Sequence, residues 1–564
     1  MDEFLNNLNN NVSVFVLHGF LLSHFYLQFM GLLSLFLVVL FHVEYRSPWF
    51  RFVLFLFALS FADPAYLWLV NFLLGKLEMS SVAYSELRYW AVSWVGGIVL
   101  TIAWLRYVQP SIAAVLAKIT RTSSLERNKK TDVREIGKFL PASLNFNPLR
   151  HINLKKGIFL GLDERRKPVY LNVPNGTSAP HIQVVGTTGS GKGVALGVMG
   201  VQFLERGEAV IFCDPKDDEW APHVMFAAAQ RCGKAFHFIN LNRPHGAQFN
   251  PFEGATEEEA FELFQAGLSL TDKGDASDFY GIADRREALQ TARLMAHEGL
   301  NLADAFKKRQ GTMAGAEKFE GRLRELAEMP SVNSQAGIGI DLEKVIEEGG
   351  CVYVVGSMRN DIVKTVQRIL LIRLIQLAER RDRIAGNLRP VCIVLDEVKY
   401  HLSRPALEAL GAARDKGVHL VLAHQSLGDL RDCARDMNPD AVVDAVVENC
   451  RIKICYQVLN PETAEWLAAM SGQILVDDET RRVEKNLGQA DIVSGERSIR
   501  QADRYLVDVN MLLNLPRSSA VVLGDGLAKF VSIRPINTQK TQETIEIEEV
   551  QGSKLTGGAA AIDV

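Results

Sequence analysis

The stretch 186–193 (GTTGSGKG) constrains the fold of this chain more than any other. It follows the apolar run 182–185 and precedes a segment that reads as a helix to about residue 205. Strand, glycine-rich turn and helix in that order make a phosphate-binding loop. The glycines let backbone N–H groups converge on phosphate oxygens without side-chain clash. The helix N-terminus adds its partial positive charge. Gly186, Thr187, Thr188, Gly189, Ser190, Gly191, Lys192 and Gly193 are therefore the candidate nucleotide-binding residues, with Lys192 placed to reach the β and γ phosphates. The residue after the lysine is normally a Ser or Thr whose hydroxyl binds Mg²⁺; here it is Gly193. Mg²⁺ usually keeps several waters, so the missing ligand is tolerable.

The surrounding sequence reads as α/β. Extended pieces at 157–162 and 168–172 precede the loop, and a second apolar strand follows at 209–213. Further strands are expected at 351–355, 391–395, 419–422, 451–456 and 520–523, with helices at about 361–381 and 405–415. Strands alternating with helices build a parallel sheet. Thr256 and Glu259 have capping-box spacing. Residues 256–329 are rich in Ala, Leu, Glu, Arg and Lys, which reads as an all-α insertion between nucleotide-binding halves at 156–255 and 330–536. Beyond Pro535 the chain turns polar and acidic, and 537–564 is expected to be a disordered acidic tail.

Residues 1–108 differ from the rest. No Asp, Glu, Lys or Arg lies between Glu3 and Glu44. Apolar runs at 24–43, 52–74 and 89–105 approach the ~20 residues that cross a bilayer. Trp49, Trp68, Trp90 and Trp104 sit near the ends or the break, as interfacial aromatics do. Arg46 and Arg51 flank the first short loop, and Arg106, Lys118, Arg121, Arg127, Lys129 and Lys130 follow the last run. Three spans with residues 108 onward in the cytoplasm fit the positive-inside rule. Two spans, with a break at Asp63–Pro64, are the alternative. Residues 109–155 read as a polar connector. The net charge of −4 gives no whole-chain pull towards nucleic acid. All seven cysteines lie between Cys213 and Cys455 without a CxxC, which reads as reduced thiols packed as small hydrophobes rather than a zinc site.

Three further features carry chemistry. The strand 391–395 ends in Asp396 and Glu397. Asp396 suits the Mg²⁺ shell and Glu397 suits the base that activates water. The strand 419–422 leads to Gln425, which fits either a γ-phosphate sensor or a strand-end amide bonding a loop. Arg414 fits either an arginine finger acting on a neighbouring subunit or a cation complementing its own helix dipole. Lys216, in the turn after the second strand, fits either a contact to nucleotide or an acidic residue, or a solvated turn.

Together these residues resemble the coupling proteins of type IV secretion and conjugation, the TraD/TraG kind of P-loop ATPase. The resemblance covers 157–536 and the N-terminal anchor. It rests on GTTGSGKG at 186–193, FCDPKDDEW at 212–220, FNPFEG at 249–254, LDE at 395–397, ARDKGVHLVLAHQS at 413–426 and LPRSSAVVLGDGLAK at 515–529. It implies an α/β RecA-like P-loop ATPase domain with an inserted all-α domain and N-terminal transmembrane helices. It also implies a homohexameric ring in the bacterial inner membrane, with ATP and Mg²⁺ at subunit interfaces. Arg414 matches the place of the family's trans-acting arginine, and a glycine after the P-loop lysine is familiar in this branch. The implied task is to pass single-stranded DNA, bound to a relaxase within its relaxosome, to the channel components by ATP hydrolysis. Members commonly have two membrane spans, against the three read here. A receptor for protein effectors with little hydrolysis and an FtsK-like DNA translocase are the alternatives. The second of these would lack the helical insertion.

Overall fold

The computed structural model describes residues 48–76, 81, 87–108, 126–127 and 131–538, apart from 177–178, 243–245, 272–277, 382–387, 435 and 486–490, and scattered positions before residue 33. The chain divides into two compact units, Met1–Ser124 and Leu125–Val564.

The first unit contains helices α1 (Pro48–Ser60), α2 (Ala62–Lys76) and α3 (Leu87–Ala103). Two stretches, Leu54–Lys76 of 23 residues and Trp90–Val108 of 19 residues, are long and apolar enough to cross a membrane. Phe55, Trp68, Val95 and Leu100 are exposed along them, an arrangement that water penalises and lipid does not. The break between α1 and α2 falls at Phe61, just before the expected Asp63–Pro64. Pro64 lies in the first turn of α2, where its missing N–H costs no helical bond. The expected span at 24–43 lies outside the described residues.

The second unit is built on a sheet of eleven strands. In chain order they are β1 (Ile158–Leu162), β2 (Pro168–Leu171), β3 (Ile182–Val185), β4 (Ala209–Asp214), β5 (Ala235–Asn240), β6 (Gly350–Val355), β7 (Val391–Leu395), β8 (Val418–His424), β9 (Ile452–Cys455), β12 (Ser519–Leu523) and β13 (Lys529–Ser532). Their spatial order is β2-β1-β13-β12-β9-β3-β8-β7-β4-β6-β5. From β9 to β5 every pairing is parallel, and from β9 to β2 every pairing is antiparallel. The central parallel strands are mostly apolar because helices cover both faces.

Alternate residues of each strand supply two different cores. Val210 and Phe212 of β4 join Val394 and Val421 against helices Lys192–Glu205 and Ala221–Cys232. Ile211 and Cys213 join Ile393, Leu395, Leu420 and Leu422 on the other face, against helix Asp361–Glu379. Helices Glu257–Leu268, Asp278–Glu298, Leu302–Arg309 and Glu317–Ala327 occupy the region read as all-α. Phe264, Phe319 and Leu323 from these helices belong to the same cluster as the second sheet face. The capping box is formed: Glu259 N donates to Thr256 Oγ1 at 3.2 Å and Thr256 N to Glu259 Oε2 at 2.9 Å. Such a cap contributes about 1 kcal/mol. Cys213, Cys351, Cys392, Cys450 and Cys455 are buried. Burial pushes the Cys450 and Cys455 thiols up to about 12, so they pack as small hydrophobes.

β5, β13 and a long antiparallel pair, β10 (Gln473–Lys485) and β11 (Asp491–Tyr505), are not among the strands expected from the sequence. A two-residue strand, Glu126–Arg127, pairs with β10 inside the region read as a connector. The β10–β11 sequence is rich in Asp, Glu and Arg and lacks an apolar alternation, so backbone pairing rather than side-chain pattern defines it. Of the expected acidic tail, residues 539–564 lie outside the described set.

Candidate nucleotide-binding site

The glycine loop sits at the C-terminal end of β3, between the ends of β8 and β9. Gly186 N donates to the His424 carbonyl at 3.3 Å and Thr187 N to the Gln457 carbonyl at 2.8 Å. Ser190 Oγ donates to the Thr187 carbonyl at 2.7 Å, and Ser518 N to the Ser190 carbonyl at 3.1 Å. Thr188 and Gly189 are exposed at the tip. A Cβ on Gly186 would stand 2.6 Å from Tyr456 Cβ, so only glycine fits. Gly189 and Gly191 take φ of 76° and 118°, where a side chain is strained. Lys192 opens the following helix and is buried. Its ammonium donates to the carbonyls of Gly186 and Thr187. Burial, and then the nearby Lys216 charge, holds its pKa below the usual lysine value.

Gly193 behaves differently from the other glycines. A Cβ there would meet nothing within 4 Å. Space therefore does not demand this glycine. Gly193→Ser is expected to fold, to gain up to ~0.5 kcal/mol of helix propensity, and to offer Mg²⁺ the missing hydroxyl. A hydroxyl ligand worth about 1 kcal/mol lowers the half-saturating Mg²⁺ for nucleotide binding by roughly fivefold. A Mg²⁺ titration of nucleotide affinity checks this, and an increased Mg²⁺ requirement would count against it.

The carboxylates lie where β7 ends. Asp396 is 7 % exposed and Glu397 is 1 % exposed. Glu397 takes the left-handed conformation with φ 48°, a strain that aims its side chain back across the sheet end. Lys216, from the turn after β4, places Nζ 3.0 Å from Asp396 Oδ2 and 2.5 Å from Glu397 Oε1. Gln425 Nε2, from the end of β8, donates to the same Glu397 Oε1 at 3.1 Å. Burial raises the Asp396 carboxyl above its ordinary value, and Lys216 opposes that rise. Burial alone would lower the Lys216 pKa, but Asp396 and Glu397 overcome it and the net direction is upward.

Further residues hold this geometry. Asp214 accepts from Lys216 N at 2.8 Å, Asp218 N at 2.6 Å and the Tyr353 hydroxyl at 2.8 Å, which fixes the Lys216 turn. Asp429 accepts from Gln425 N at 3.1 Å and pairs with Lys399 Nζ at 3.0 Å. The Glu397 and Gln425 turns are thereby tied together. His424 is buried, and burial lowers its pKa to about 4, so the imidazole is neutral. Its Nδ1 lies 3.0 Å from the Ser426 carbonyl and its Nε2 2.7 Å from Gln183 Nε2. The consistent assignment has Nδ1 donating and Nε2 accepting.

The structure thus brings Lys192, Asp396, Glu397 and Gln425 to the ends of adjacent parallel strands. Arg414 is elsewhere. It is exposed, caps the C-terminus of helix Arg404–Ala413 and precedes β8. Seven residues of β8, about 23 Å of strand, separate it from the loop end of the sheet. A chain cannot bring its own Arg414 to its own loop, and both earlier readings of this arginine remain compatible with that place. Asp396 and Glu397 offer hard oxygen donors. Glu397 Oε2 is buried without a hydrogen-bond partner among the described residues. With the glycine-only cradle at Gly186, the residues present fit a complex of nucleotide and Mg²⁺. Lys399 and Asp429 escaped sequence analysis, since nothing local marks a lysine and an aspartate thirty residues apart as partners.

Residues 129–280 match the family described as Type IV secretory system Conjugative DNA transfer. Residues 390–517 match the one described as TraM recognition site of TraD and TraG. The chain belongs to the TraD/TraG family of coupling proteins. The two matched stretches carry the two sides of the candidate site, the glycine loop in the first and Asp396, Glu397 and Gln425 in the second. Mobilization protein A of Escherichia coli is 31 % identical over 365 residues, which cover 64 % of this chain and 66 % of that relative. Among solved structures, the bacterial conjugative coupling protein TrwBdeltaN70 in its unbound monoclinic form aligns with a TM-score of 0.52 at 14 % identity. It covers 72 % of this chain and 96 % of its own. That likeness establishes the fold of this TraD/TraG member as an α/β P-loop ATPase fold.

Proposed function

We propose that this TraD/TraG-type protein is a RecA-like, membrane-anchored ATPase that brings relaxase-bound single-stranded DNA to a type IV secretion channel and drives its transfer by ATP hydrolysis. The observation that carries this reading is the convergence of Lys192, Asp396, Glu397 and Gln425 at neighbouring strand ends. The family's role in conjugative DNA transfer supports it. The loop N–H groups and Lys192 bind the phosphates. Asp396 holds Mg²⁺, which supplies charge neutralisation on them. Glu397 takes the proton of the attacking water, and Gln425 fixes the carboxylate through its amide. Arg414 of a neighbouring subunit completes the site in a homohexamer. Leu54–Lys76 and Trp90–Val108 anchor the ring in the inner membrane, with the sheet domain in the cytoplasm. The surface for the relaxosome component TraM lies within residues 390–517, following the description of the family they match. The helices between residues 257 and 327 weigh against the FtsK-like alternative, which was expected to lack them.

The decisive measurement is ATP turnover by the purified full-length chain with and without single-stranded DNA. DNA-stimulated turnover is the expected result. Nucleotide binding without turnover, DNA present, would sink the pump and leave the receptor for effectors.

A further inference from the structure

We propose that Lys216 is the internal cation that holds the metal's place in the nucleotide-free site, and that loading of Mg²⁺ with nucleotide displaces it. This rests on the nucleotide reading above. Asp396 and Glu397 are consecutive, buried carboxylates, and buried like charges require a compensating cation. Among the described residues, Lys192, Lys216 and Lys399 are the candidates. Lys192 is turned onto the carbonyls of Gly186 and Thr187. Lys399 is committed to Asp429 and Asp432. Lys216 alone of the three touches both carboxylates, bridging Asp396 Oδ2 and Glu397 Oε1.

Asp396 Oδ1 already accepts from Glu397 N at 3.0 Å, so a divalent cation held by Asp396 would draw on the Oδ2 that Lys216 occupies and would repel the ammonium beside it. The two cations therefore compete for one seat. The competition is the keener because Gly193 offers the metal no hydroxyl. The backbone of the Lys216 turn is pinned through Asp214 and Tyr353, so the displacement is a swing of the side chain. That side chain is 30 % exposed and has a route to solvent.

Amine-selective acylation of the full-length chain, quantified by mass spectrometry of lysine peptides, tests this. The protein is labelled free, with a non-hydrolysable ATP analogue alone, and with the analogue plus Mg²⁺. Analogue binding to the same samples is measured by equilibrium dialysis. Lys216 labelling is expected to rise several-fold only when Mg²⁺ is present. Continued protection of Lys216 in protein that has bound analogue and Mg²⁺ would overturn the proposal. Failure of the analogue to bind would overturn the nucleotide reading itself, and this proposal with it. A second measurement uses variants. Lys216→Gln is expected to lower the half-saturating Mg²⁺ for analogue binding roughly tenfold, whereas Lys216→Arg keeps the wild-type value. A higher Mg²⁺ requirement in Lys216→Gln would show that the lysine assists the metal and would refute displacement.

Discussion

Lys192→Ala is expected to lose nucleotide binding and turnover together while remaining folded. A charged hydrogen bond to phosphate contributes about 1.5–3 kcal/mol, a factor of roughly 10 to 150 in affinity. Losing charge stabilisation of the transition state removes a further ~10²–10³ in kcat. The fold itself should not suffer. Lys192 is a helix-opening residue whose buried ammonium contacts only backbone carbonyls in the hydrogen bonds described above, and alanine is the better helix former. The thermal midpoint of the variant is therefore expected to stay near the wild-type value. Nucleotide affinity and turnover measured beside that midpoint separate a site effect from unfolding. Near-normal turnover would show that Lys192 is not the phosphate lysine.

Glu397→Gln is expected to do the opposite to binding. Phosphate contacts and the Asp396 ligand remain, so nucleotide still binds, but the proton acceptor is gone. General-base removal costs ~10²–10⁴ in turnover. The change also relieves charge crowding beside Asp396, so the folded protein is not expected to weaken. Rings mixed from Glu397→Gln and Arg414→Ala subunits add a test of the neighbour's arginine. Some interfaces in such rings pair an intact Glu397 with an intact Arg414, and turnover is expected to return in part. Mixed rings as inactive as either parent would count against Arg414 acting across the interface. An arginine that serves only its own helix C-terminus predicts no such rescue.

The parts of the fold that the sequence made legible are those whose signal is local. The strand at 391–395 is found with its expected limits. β4, β6 and β12 are each found one residue longer than their apolar runs. The capping box at Thr256 and Glu259 is likewise local and is formed. β5 was illegible because it is the edge of the parallel sheet and half-buried, so its apolar run is short. β10 and β11 were illegible because their segments are rich in charged residues and lack a sustained apolar alternation, so only the backbone pairing marks them as strands. In the site, Lys192, Asp396 and Glu397 could be named from motif context alone. The bridge from Lys216 to both carboxylates spans 180 residues of chain. It follows from β7 lying beside β4, a neighbourhood set by crossover connections that no local pattern encodes.

The helices between residues 257 and 327 share one apolar cluster with the sheet face that carries Ile393 and Leu395. Among the described residues their apolar side chains form no cluster apart from it. A movement of that layer therefore presses directly on the strand that ends in Asp396 and Glu397. The same seam limits evolution and engineering. Grafting these helices from a relative as a cassette leaves a mismatched seam against Leu420 and Leu422, so their replacement requires matching changes on the sheet.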